Sequence, residues 1–104
     1  MIKVVKFGGS SLADANQFRK VADIVKAEKC RRYVVASAPG KRSSDDTKVT
    51  DMLLKCFELA SAKMSIDELF GKIKDRYNGI IKDLNLDISL DEDFSNIRFA
   101  ILNH

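Results

Sequence analysis

The sequence is poor in the residues from which many sites are made. It has one proline, one histidine, two cysteines and no tryptophan. Cys30 and Cys56 form no CxxC pair, and His104 stands apart from both, which excludes a zinc-finger spacing and a thiol–imidazole nucleophile pair. No signal peptide precedes the cysteines, so they read as free thiols of a reduced compartment, with a cytoplasmic location expected; a secreted protein with one disulfide is the less favoured alternative. No apolar run approaches the roughly 18 residues of a membrane span. One-signed charge is scarce as well: 18 basic against 15 acidic side chains leave a net charge of +3, too mild to imply nucleic acid or an anionic membrane as partner. The one short basic cluster, Lys29, Arg31 and Arg32, is expected to be a solvated helix end that complements the dipole. Both familiar phosphate-loop patterns are missing too. GxGxxG does not occur, and the position five before Gly40-Lys41 is Val35 where a Walker A loop needs glycine.

What is present suits one soluble globular domain. Of the 104 residues 45% are hydrophobic and 32% charged, enough for a core but with little margin. Ile2 to Phe7 is a short β-branched run that predicts a strand covered on both faces. Phe18, Val21, Ala22 and Val25 recur at helical spacing and predict a helix over Leu12 to Lys29, with Ser11 and Asp14 as its capping box. Tyr33 to Ala38 predicts a second strand, closed by Pro39 and Gly40. The stretch from Gly40 to Lys48 is polar and rich in turn formers, and reads as a mobile loop. Val49, Met52, Leu53, Cys56 and Ala60 predict a helix from about Thr50 to Ala62. A capping box at Ser65 and Glu68 opens a long helix through Ile66, Phe70, Ile73, Tyr77, Ile80 and Leu84. Leu84 to Leu90 is expected to be loop, and Phe94, Ile97 and Ile101 predict a last helix from near Asp93.

Strand, helix and strand in this order describe a βαβ unit with parallel strands and a right-handed crossover. Two apolar strands are too few to be stable alone, since a two-stranded sheet is marginal in water. The expected fold class is therefore α/β: the opening βαβ unit of a larger parallel sheet, incomplete in these residues unless partner chains supply the rest.

The chemistry concentrates where the first strand ends, in Lys6-Phe7-Gly8-Gly9-Ser10-Ser11. Amides freed by a turn and by the start of a helix converge there, glycines let the backbone approach an oxygen-rich ligand, Lys6 adds charge, and Ser10 and Ser11 add hydroxyls. A phosphate fits that description. An ordinary βα turn with Ser11 as a simple N-cap fits Gly-Gly-Ser-Ser equally well, and Lys6 tips the balance, because a lysine at the end of a buried strand needs an anion or an exit to water. Ser37 ends the second strand at the same sheet edge, where ligands of open α/β folds gather; it could reach a substrate or satisfy its own backbone. Asp51 is expected to be only a first-turn acid beside the helix dipole.

Three segments in this order, Lys6–Ser11, Val34-Val35-Ala36-Ser37-Ala38-Pro39-Gly40 and Thr50-Asp51-Met52-Leu53, resemble the N-terminal part of the kinase domain of the aspartokinases, within the amino acid kinase family. The resemblance covers the first half of the chain, and beyond Ala62 it lies in helical pattern alone. It implies a three-layer amino acid kinase fold, of which residues 1–104 would be the N-terminal part. The implied activity is transfer of the γ-phosphoryl of ATP to the β-carboxylate of aspartate, which opens lysine, threonine and methionine biosynthesis. Lys6 would then be catalytic, stabilising the phosphoryl group in flight; Lys6, Gly8, Gly9, Ser10 and Ser11 would bind ATP, with Mg²⁺ arriving on the nucleotide; Ser37 and Thr50 would contact aspartate. The Gly40–Val49 loop is longer than in many relatives, which leaves Thr47 as a rival to Thr50. A homo-oligomer is the expected assembly. The family's Ser-Arg-Gly-Glu segment, its later arginine and aspartate, its nucleotide-base loops and its ACT domains are absent from these residues. The competing expectation is a non-catalytic truncated module that self-associates or binds a full-length kinase, and a kinase for another acid is a third.

Overall fold

Two strands, β1 (Lys3–Phe7) and β2 (Arg31–Ala36), pair in parallel in the computed structural model, which describes all 104 residues. The register runs Val4↔Tyr33, Val5↔Val34, Lys6↔Val35 and Phe7↔Ala36, with an irregularity between Lys3 and Val4. Alternation along a strand sends successive side chains to opposite faces. Val5 and Phe7 are half-buried, whereas Val4 and Lys6 are exposed, so one face of β1 is covered and the other open. The two-face cover expected from the sequence is not present: Val4 is 67%, Tyr33 60% and Val35 49% exposed.

A 3₁₀ turn (Gly9–Leu12) and the helix α1 (Ala15–Ala27) connect the strands. The helix starts later than its periodicity predicts, and the expected Ser11/Asp14 capping box is not what opens it. Asp14 is itself the N-cap: its backbone is extended and its carboxylate accepts the Gln17 amide at 3.0 Å, satisfying one of the donors that every helix start leaves free. The basic cluster also departs from expectation, because Arg31 and Arg32 belong to β2 rather than to a helix end. Arg31 nevertheless serves α1. Its guanidinium donates to the Ile24 carbonyl in the last turn and pairs with Glu28 at 3.5 Å, and Glu28 also receives Lys3 from the start of β1 at 3.0 Å. One carboxylate thus ties the end of the helix to the beginning of both strands.

The chain divides into two compact units, Met1–Thr50 and Asp51–His104. The first holds β1, α1 and β2, with Leu12, Ala13, Ala15 and Val49 buried. The helix α2 (Val49–Ser61) carries the chain from one unit into the other, and the second unit continues with α3 (Asp67–Asp83) and α4 (Asp91–Leu102). Met52, Cys56, Ile66, Phe70, Ile73, Ile80 and Phe94 are buried there. Phe94 meets Phe70 edge-on at 6.5 Å between centroids and tilts against Tyr77 at 6.0 Å, arrangements that suit the charge distribution of aromatic rings. The expected Ser65/Glu68 box is replaced by a weaker device. Ile66 takes the N-cap position with no side-chain cap, and Ser65 Oγ accepts the Asp67 amide at 3.3 Å. The stretch from Leu86 to Leu90 is loop, as expected.

No helix is long and apolar enough to cross a membrane.

Candidate functional site

The site forms where both strands of the first unit stop. After β1 the backbone enters the 3₁₀ turn, in which the Ser11 amide donates to the Gly8 carbonyl at 3.1 Å. After β2 the segment Ser37–Gly40 runs back past it: the Ser37 amide donates to the Phe7 carbonyl at 3.1 Å and the Gly40 amide to the Gly9 carbonyl at 2.8 Å. These two bonds continue the parallel pairing beyond the regular strands and hold the two turns side by side.

The glycines earn their place through proximity, not through unusual torsions. No glycine has a positive φ, and Gly8 is extended at φ −77° and ψ 174°. A Cβ on Gly40 would lie 2.7 Å from the Gly9 carbonyl carbon, and one on Gly9 would lie 3.1 Å from the Ala38 oxygen. Gly40 has no room for a side chain and Gly9 has little, which lets the turns touch. A Cβ on Gly8 would meet open space.

The two turns, with the residues that open α2, enclose a cavity of about 520 Å³ lined by Gly9, Ser10, Ser37, Ala38, Pro39, Gly40, Lys41, Lys48 and Thr50. Of the residues singled out from the sequence, Gly9, Ser10, Ser37 and Thr50 are thereby brought together from three separate segments. Lys6, Gly8 and Ser11 are not in the lining: Lys6 stands exposed on the open face of β1, Gly8 is exposed, and Ser11 is half-buried in the 3₁₀ turn. Thr47, the rival of Thr50, is also outside it. The expected contribution of a long helix's N-terminus changes as well. The amides after Gly8 belong to a 3₁₀ turn, and the first turn of α1 is already served by the Asp14 carboxylate.

Sequence reasoning missed Lys41 and Lys48. Both sit in the loop read as mobile, and their signal was their place at its two ends. That loop is structured. The Val49 amide donates to the Pro39 carbonyl at 3.0 Å, closing its neck. Inside it Asp46 accepts the Arg42 backbone amide at 3.0 Å, Arg42 Nε at 2.6 Å and a second guanidinium nitrogen at 3.0 Å. The guanidinium, followed by the Arg42 amide, holds the Asp46 carboxyl well below the usual carboxylate range. The lining contains three hydroxyls and two ammonium-bearing chains, with no carboxylate. Such a wall is suited to an anion.

A profile of the amino acid kinase family matches residues 1–89. The chain belongs to the amino acid kinase family. Within it the chain is similar to aspartokinases. It is 46% identical to aspartokinase 3 of Bacillus subtilis (strain 168) over 101 residues, 97% of this chain and 22% of that protein. An aspartokinase of Chlamydia trachomatis serovar D is 33% identical over 87 residues, 84% of this chain and 18% of that protein. A crystal structure of the Clostridium acetobutylicum aspartate kinase superposes with a TM-score of 0.93 at 41% identity, over 96% of this chain and 23% of that one. Escherichia coli aspartokinase III in complex with aspartate and ADP superposes with a TM-score of 0.74 at 27% identity, over 99% of this chain and 23% of that one. The chain therefore spans about a fifth of the length of the relatives it matches. The α/β class and the incomplete parallel sheet read from the sequence agree with these aspartate kinase neighbours.

Proposed function

We propose that residues 1–104 form the N-terminal part of an amino acid kinase domain and contribute part of the site of an aspartate kinase. The observation that carries this reading is the convergence of Gly9, Ser10, Ser37 and Thr50 on one cavity free of acidic groups, in a chain that is 46% identical to an aspartokinase. Aspartate's β-carboxylate is already ionised at neutral pH, so no base has to remove a proton. A carboxylate oxygen forms a bond to the γ-phosphorus of ATP as the bond to the β–γ bridging oxygen breaks, giving aspartyl phosphate and ADP. The obstacle is bringing two anions together, and fixed positive charge and N–H donors lower it.

In this reading the Gly8 and Gly9 amides and the Ser10 and Ser11 hydroxyls hold phosphate oxygens. Lys6, just upstream on the open face of β1, follows the transferred phosphoryl group, and Ser37 and Thr50 orient aspartate. Mg²⁺ enters this reading with the nucleotide. ADP and aspartate are bound in the Escherichia coli neighbour, which supports both ligands here. The exposed Val4, Tyr33 and Val35 support an arrangement in which further chain, from the same polypeptide or from a second copy in a homo-oligomer, covers the open sheet face. In this reading the protein works in the cytoplasm, at the head of lysine, threonine and methionine synthesis, a role that its similarity to aspartokinases supports.

The test traps aspartyl phosphate with hydroxylamine in the full-length polypeptide that carries this segment. Lys6→Ala is expected to lower turnover by about a hundredfold or more, the scale of losing one charge-stabilising donor at a reacting centre. Turnover that survives the change removes Lys6 from the chemistry.

A further inference from the structure

We propose that the Gly40–Lys48 loop is a specificity element in which Lys41 and Lys48 supply the counter-charges that select an amino dicarboxylate, and in which the Arg42–Asp46 pair is the positioning device that presents them. The inference rests on the aspartate kinase reading above and adds residues that the sequence resemblance did not assign.

An amino dicarboxylate brings two negative charges into the cavity. The hydroxyls of Ser10, Ser37 and Thr50 can orient carboxylate oxygens but cannot replace the hydration of two anions. The cations in the lining are Lys41 and Lys48, and no lining residue is acidic. Arg42 lies beside them in sequence but is outside the lining and committed to Asp46 through three hydrogen bonds.

The geometry explains how residues seven positions apart come to one wall. The neck bond from the Val49 amide to the Pro39 carbonyl fixes both ends of the loop, and Lys41 and Lys48 stand just inside that neck. Arg42 and Asp46 close a smaller ring within it, helped by the Asp46 amide donating to the Ser43 carbonyl at 3.2 Å. A planar guanidinium gripping a carboxylate through two nitrogens fixes orientation as well as distance. The loop tip is thereby folded on itself, and the two lysines, both exposed, line the cavity from the loop's two ends.

The experiment measures steady-state kinetics of the full-length polypeptide with aspartate and ATP varied separately. Lys41→Gln and Lys48→Gln are each expected to raise KM for aspartate about tenfold, with KM for ATP within about twofold, the size of one charge-assisted contact. Raising ionic strength should raise the aspartate KM of the wild type more steeply than that of the double variant. Arg42→Ala and Asp46→Asn should raise the aspartate KM and leave kcat nearly unchanged, and the exchanged pair Arg42→Asp with Asp46→Arg should restore it. Lys41 and Lys48 are exposed, so the thermal midpoint of each lysine variant should match the wild type. An unchanged aspartate KM in both lysine variants overturns the proposal, as does a KM for ATP that rises in step, which would assign the lysines to phosphate. If Lys6→Ala is inactive while the lysine variants behave as wild type, the loop's role fails alone. If the wild type forms no aspartyl phosphate, the underlying reading fails and the loop's role with it.

Discussion

The Gly40 amide donates to the Gly9 carbonyl at 2.8 Å, and a Cβ on Gly40 would lie 2.7 Å from the carbon of that same carbonyl. This contact sets the distance between the two turns and so the width of the cavity between them.

Replacing Gly40 by alanine should destabilise the first unit by about 1–3 kcal/mol, the usual cost of forcing extra atoms into filled space, because what must move is backbone. Gly8→Ala is the contrast. Its torsions suit any residue and its Cβ would meet open space, so urea denaturation should find its stability unchanged or raised by up to about 1 kcal/mol. Alanine keeps the Gly8 amide, so a fall in nucleotide affinity in this stable variant would show that the phosphates need the space of the new methyl, and undiminished affinity would show that close approach at Gly8 is not required.

The ends of α2 and α3 allow a prediction of opposite sign. Lys63 and Asn85 have φ of 57° and 55°, and each sits in the C-terminal motif where paired amides bond back across the last turn: Met64 to Leu59 with Lys63 to Ala60, and Leu86 to Ile81 with Asn85 to Lys82. Asparagine tolerates that conformation, whereas lysine pays a steric penalty for it. Lys63→Gly should therefore stabilise the protein by about 1 kcal/mol in thermal or urea unfolding. A loss of stability would show that the Lys63 side chain contributes more than its backbone strain costs.

The Arg42–Asp46 pair should have a defined acid limit. The Asp46 carboxyl is held below its ordinary value of 3.8 in the folded chain, so the unfolded or opened loop binds the proton more readily than the closed one. Its contribution is complete above the ordinary value and falls away as pH drops through the folded one. Hydrogen exchange at the Arg42 amide, which donates to Asp46, should show protection unchanged from pH 7 to about 4 and declining only below that range. Asp46→Asn should show weaker protection with no such acid limb. Protection lost near pH 5 or 6 would mean that another group controls the loop.

Much of the fold was legible because it depends on local pattern. The β-branched runs, the apolar stripe of α3 and the turn formers after Pro39 each specify backbone shape through nearest-neighbour sterics and one-sided burial. Capping was read less well. Ser11 and Ser65 carry the right side chains, but the backbone placed the start of each helix elsewhere, and Asp14 took a role that spacing had given to a pair. Arg31 and Arg32 were assigned to a helix end because charge alone does not reveal where a strand begins.

The sequence by itself determined that a parallel βαβ unit would form, which follows from residue type and spacing, and it placed Lys6, the glycines, Ser37 and Thr50 in segments that resemble those of the amino acid kinases. Only the tertiary structure decided which of them share a cavity, because that depends on segments far apart in the chain meeting through backbone bonds. Gly9 and Gly40 become partners and Lys41 and Lys48 enter the wall through closures between Ser37 and Phe7, Gly40 and Gly9, and Val49 and Pro39, while strand alternation leaves Lys6 on the open face. Such closures join generic amides and carbonyls, which every residue type but proline provides, and so leave no mark in composition or periodicity.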